Sequence, residues 1–140
     1  MDSDRAHYLA YSCEGRIGAA LKLKDTEILR QKNQWIDDFT DLNRPGLSDE
    51  ASYSDKEELR RLLNVLAAWF RDIYLVKIGV AHSELVNLDR RDDLLRVMLR
   101  YNTLDLDAIL RVICESIFYL DHNINTKLLV SNIKAQLWKR

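Results

Sequence analysis

The chain has 140 residues and a net charge of -1, with 47% hydrophobic and 31% charged side chains. That length fits one domain, or one domain with a remnant of another, and carries enough apolar residues to bury a core. The near-cancellation of charge argues against bulk attraction to nucleic acid or to an acidic membrane, and no apolar run approaches the ~20 residues of a membrane-spanning helix.

One proline and four glycines are too few breakers for a turn-rich β protein, so the pattern favours long helices. Arg5 to Tyr11 reads as the end of a helix, stopped by Gly15, since glycine accepts the positive φ that follows a helix end. Ile17 to Leu23 begins a short second helix. Asp25 or Thr26 can cap the next segment. Its stripe of Ile28, Leu29, Trp35, Ile36, Phe39 and Leu42 ends before Asn43-Arg44-Pro45-Gly46, the strongest break in the chain.

Ser54-Asp55-Lys56-Glu57 has the spacing of a capping box, with Ser54 first and Glu57 three residues later. The helix after it is the longest and best defined. Leu59, Leu62, Leu63, Leu66, Phe70, Ile73 and Lys77 mark one face, which Trp69 and Val76 widen, so this helix is expected at the centre of the domain. Ala81 to Asn87 reads as a loop. Asp89 or Asp92 starts a shorter helix bearing Leu94, Leu95, Met98 and Leu99, ended by Asn102-Thr103. Asp105 or Asp107 starts the next, with Leu106, Ile109, Leu110, Ile113, Ile117 and Leu120 on one face, closed by Asp121-His122-Asn123. Asn125 or Thr126 caps the last helix, with Leu128, Leu129, Ile133 and Leu137 inside. The expected fold is all-α, a bundle of about five to seven helices without a 20-to-50-residue repeat.

Catalytic signatures are missing. No GxxxxGK[ST] or GxGxxG loop is present to cradle a nucleotide. His7, His82 and His122 are isolated, and none stands one helical turn from another ligand type, so no metal site is expected. The acidic pairs Asp37-Asp38, Asp49-Glu50, Glu57-Glu58 and Asp92-Asp93 are neighbours in sequence. Helix neighbours point about 100° apart and do not share an acid-base site. Arg60-Arg61 and Arg90-Arg91 lie among acidic residues and read as solvated helix surface. Cys13 and Cys114 form no CxxC pair; a disulfide stays open, and two buried free thiols in a reducing compartment are expected. Met-Asp-Ser-Asp-Arg lacks the apolar region of a signal peptide, so a cytoplasmic protein is expected. Trp69 reads as core, and Trp138 as core or interface.

Three motifs resemble one family. Trp69-Phe70-Arg71-Asp72 followed by Ile73-Tyr74-Leu75-Val76-Lys77 is similar to a central helix of the delta-prime subunit of the bacterial DNA polymerase III clamp loader. Asn123-Ile124-Asn125-Thr126-Lys127-Leu128-Leu129 is similar to its N-x-N-x-x-L-L segment. Ser12 to Leu21, with Gly15 and Gly18, resembles a stretch in the lid of its AAA+ module, departing from the pattern at Arg16 and Ala19. The resemblance covers most of residues 8 to 140. It implies that residues 1–24 are a lid remnant, that Met1 is a truncated start, and that residues 25–140 are a helical oligomerisation (collar) domain. It further implies no enzymatic activity of this chain within a DNA-synthesising assembly and no cofactor. The partners it implies are other clamp-loader subunits, with no specific DNA contact, membrane or small-molecule substrate. A head-to-tail ring needs two different patches per domain, and Val130, Ala135 and Trp138 are the interface candidates on the last helix. The rival functions are a helical adaptor module of another pathway and a small helical enzyme whose site assembles only in three dimensions.

Overall fold

The computed structural model describes residues 25–40, 55–81, 84–122 and 125–137. They form five α-helices and no strand. The helices are α1 (Asp25–Thr40), α2 (Lys56–Lys77), α3 (Arg91–Val97), α4 (Thr103–Leu120) and α5 (Thr126–Leu137), with 3-10 turns at Leu88–Arg90 and Met98–Arg100. The expected helices before residue 24 and the break at 43–46 lie outside the described residues.

α2 is the spine. Leu59, Leu62, Leu63, Leu66, Phe70 and Ile73 are fully buried, each contributing roughly 1.5–3 kcal/mol by leaving water. Trp35, Ile36 and Phe39 of α1, Leu106, Ile109 and Ile113 of α4, and Leu129, Val130, Ile133 and Leu137 of α5 complete the core. Phe70 meets the Tyr101 ring edge-on, 5.7 Å away at 85°. Lys77, placed on the apolar face from its spacing, is instead exposed and donates to the Met98 carbonyl at 3.1 Å.

Local chemistry sets the helix ends. Asp55 caps α2 by accepting the Glu57 amide at 3.0 Å, one residue later than the expected Ser54, which lies outside the described residues. The far end closes at Gly79, whose φ of +84° only glycine adopts freely. There the Gly79 amide bonds the Val76 carbonyl and the Val80 amide bonds the Leu75 carbonyl, the paired pattern of a Schellman stop. Asn102 was expected to end a helix; it starts one. Asn102 Oδ1 accepts the Asp105 amide at 2.8 Å while Asp105 Oδ2 accepts the Asn102 amide at 3.1 Å. This reciprocal capping box satisfies two otherwise orphan donors.

α4 runs back along α2. Arg60, near the start of α2, pairs with Asp121, just past the end of α4, at 2.5 Å. The guanidinium bond holds the Asp121 carboxyl below the usual carboxylate range. Past the helix end, the His122 ring stacks on Phe118, 4.5 Å between centroids.

Candidate functional site

Two places concentrate chemistry: a buried polar knot around Asp72, and the face formed by α4 and α5.

Asp72 lies on the buried stripe of α2, one turn from Trp69 and Val76, and is fully buried. It accepts the Val86 amide at 3.0 Å, the Asn87 amide at 2.7 Å and Asn87 Nδ2 at 2.8 Å. Asn87 Oδ1 in turn accepts Lys32 Nζ at 3.0 Å. Lys32 also donates to both Asp89 oxygens, 2.7 Å each. Burial pushes the Lys32 ammonium below its usual range, and the bond to Asp89 pulls it back up. Arg90 binds Asp37 at 2.9 Å and Asp93 at 3.0 Å, and its guanidinium carbon stands 5.0 Å from the centre of the Trp69 ring. The knot thus pins α1 and the 84–90 segment onto α2. Every carboxylate in it is already bonded by an internal donor, so it is built for holding elements together rather than for turnover. Trp69 is buried, and its Nε1 has no hydrogen-bond partner. Arg71 is half-exposed, with Nη1 3.6 Å from Asp72 Oδ1.

Lys32 and Asn87 were not singled out from sequence, and Asp89 was read only as a helix start. Lys32 carried a signal, since it sits three residues after Leu29 and four before Ile36, on the apolar stripe of α1. Asn87 and Asp89 gave no sign of the knot, because Lys32 is more than fifty residues from both and Asp72 is 15 from Asn87.

On the second face, Asn125 Oδ1 accepts the Lys127 amide at 2.9 Å and starts α5. Asn125→Ala is expected to cost roughly 0.5–2 kcal/mol, read as a lower thermal midpoint; an unchanged melt would deny it a capping role. Val130 corrects the reading of an outer face. It is 2% exposed and part of the core, while Leu128, placed inside, is 54% exposed. The inward set is Leu129, Val130, Ile133 and Leu137, so three of the four expected positions face inward and Val130 takes the place of Leu128. Ala135 is exposed and, with Val112, Glu115, Tyr119, Asn132 and Gln136, lines an open groove of about 460 Å³ between α4 and α5. Cys114, expected to be a packed thiol, is free and exposed on α4. Gly15, Gly18, Cys13, Asn123 and Trp138 lie outside the described residues.

Among the described residues no group of three His, Cys, Asp or Glu side chains could hold a metal ion, and no helix is long and apolar enough to cross a membrane.

A family model described as DNA polymerase III, delta subunit, C terminal matches residues 27–137. The chain belongs to this family. The match runs from the first turn of α1 to the last residue of α5, so both the polar knot and the α4–α5 groove fall within the family's domain. The role that follows is that of a clamp-loader subunit domain in DNA polymerase III, an assembly in which its partners are proteins. Comparison with curated proteins and with solved structures returned no match.

Proposed function

We propose that the chain is the non-catalytic collar domain of a delta-prime-like clamp-loader subunit, working in the cytoplasm to hold together the complex that loads the sliding clamp. The observation that carries this reading is the coincidence of the family match, residues 27–137, with the whole helical bundle. The choice of delta-prime over delta rests on the Trp69-Phe70-Arg71-Asp72 and Asn123-x-Asn125 motifs. On this reading residues 1–24 are the lid remnant of an AAA+ module.

The α4–α5 groove is the contact face we assign to a neighbouring subunit. It is open, and Ala135 and Tyr119 on its wall are exposed rather than spent on the core. Ala135→Arg places a long cation on that wall without touching buried atoms. Its melt is expected to stay within about 0.5 kcal/mol of the parent, as for other surface changes. Co-elution with the remaining clamp-loader subunits is expected to fall about tenfold or more, the scale of a lost interface contact. Undiminished co-elution would remove the groove from the interface. Reconstitution of the complex with this chain replacing the C-terminal domain of delta or that of delta-prime separates the two assignments; function only in place of delta would refute ours.

A further inference from the structure

The α4–α5 groove has a chemical bias that a subunit contact does not by itself require. On the α4 wall Glu115, Ser116 and Tyr119 stand within one turn, and on the α5 wall Asn132 and Gln136 are one turn apart, above the buried Leu129. Glu115 is the one ionised side chain among the described residues of this lining. No other described residue bonds its carboxylate, the Tyr119 hydroxyl or the side-chain amides of Asn132 and Gln136. The Ser116 hydroxyl donates to the Val112 carbonyl at 2.7 Å, so its oxygen is left to accept. Tyr119 is 41% exposed. The lining therefore offers acceptors, an aromatic ring and one negative charge, and no cation. Arg111, one turn before Glu115 on α4, is outside the lining and makes no ion pair with it. Lys134 of α5 lies over the Phe39 ring instead, 5.5 Å from its centre.

We infer that the α4–α5 groove receives an arginine side chain of the neighbouring subunit, with Glu115 as its counter-ion. The inference rests on the reading of this groove as the subunit contact. A guanidinium presents a planar fork of donors, which matches a carboxylate flanked by amide and hydroxyl oxygens, and its flat face suits the Tyr119 ring. A lysine brings a point charge with no planar face for that ring. A carboxylate or phosphate meets like charge at Glu115. An apolar side chain would take Glu115 and the two amides out of water with nothing to bond. Arginine is also among the residues in which the energy of protein interfaces concentrates.

Two measurements test it. In the first, amide NMR of the 140-residue chain follows titration with methylguanidinium, methylammonium and acetate. Methylguanidinium is expected to shift the amides around Glu115, Tyr119, Asn132 and Gln136, methylammonium to shift them less, and acetate to leave them in place. Glu115→Gln removes the charge and keeps the shape, and is expected to abolish the difference between the two cations. In the second, the chain is co-eluted with the remaining clamp-loader subunits. Glu115→Gln is expected to weaken co-elution about tenfold, and Glu115→Arg further. Both should melt like the parent, because Glu115 is exposed. If Ala135→Arg disrupts co-elution while both Glu115 variants co-elute normally, the groove remains the contact and the arginine is refuted. If none of the three has an effect, the groove reading falls and this inference with it. Equal shifts from the two cations in the parent chain, or shifts that avoid the groove, would also overturn it.

Discussion

Asp72→Ala is expected to destabilise the domain by about 3–5 kcal/mol, the cost of removing one partner from a buried charged network. The substitution strands two backbone amides and the Asn87 side-chain amide away from water, and each orphaned buried donor costs roughly 1–3 kcal/mol. It also frees Asn87, which accepts from the buried Lys32 ammonium. Since a domain of this kind has only about 5–15 kcal/mol in total, the variant should lose cooperative folding first around α1 and the 84–90 segment. Urea titration followed by far-ultraviolet circular dichroism measures it. A loss below ~1 kcal/mol would mean that water replaces Asp72 and that the knot does not hold these elements together. Asp72→Asn should fall between the two, because one amide oxygen still accepts while its nitrogen meets donors.

Trp69→Ala is expected to cost about 3–5 kcal/mol through the cavity it leaves at the centre of the bundle. Trp69→Phe should cost less than about 1.5 kcal/mol, since Trp69 Nε1 makes no hydrogen bond that would be lost. The phenyl ring also keeps a face for Arg90, at a reduced cation–π strength. Comparable losses in the two variants would show that shape at this position, not apolar volume, is what the core requires. A Trp69→Ala chain that melts normally yet fails to join its complex would move Trp69 from the core to the interface.

The long helices were legible in the sequence because many residues vote on their phase. In α2, Leu59, Leu62, Leu63, Leu66, Phe70 and Ile73 all land inside as spaced, and in α4 Leu106, Ile109, Ile113 and Leu120 do the same. Short helices have too few voters. Five of the six residues from 94 to 99 are apolar and fit either side, and the structure buries Leu94 while it exposes Leu99. α5 slipped for the same reason, trading Leu128 for Val130. Asn102-Thr103 was ambiguous in kind, because asparagine serves equally in a helix stop and a helix start; only the reciprocal bond with Asp105 decides. The polar knot was invisible because Asp72 and Lys32 find their partners across the fold, and hydrophobic periodicity carries no information about which distant carboxylate meets which ammonium. The groove, likewise, arises from the angle between two helices and has no sequence pattern of its own.

The antiparallel pairing of α2 with α4 has a kinetic consequence. Arg60 and Asp121 are 61 residues apart in sequence, whereas α5 begins at Thr126, just past the Leu120 end of α4. The α2–α4 pair closes first at its inner end, where Lys77 and Met98 are 21 residues apart, and closing a loop of about 20 residues rather than about 5 costs roughly 1 kcal/mol more in chain entropy. The α4–α5 hairpin is therefore the half that assembles early, and α2 with its α1 attachment arrives late. Truncating Val130 should slow folding, while Asp72→Ala should chiefly hasten unfolding, so the two arms of a stopped-flow chevron would divide the molecule into an early helical hairpin and a late-docking spine.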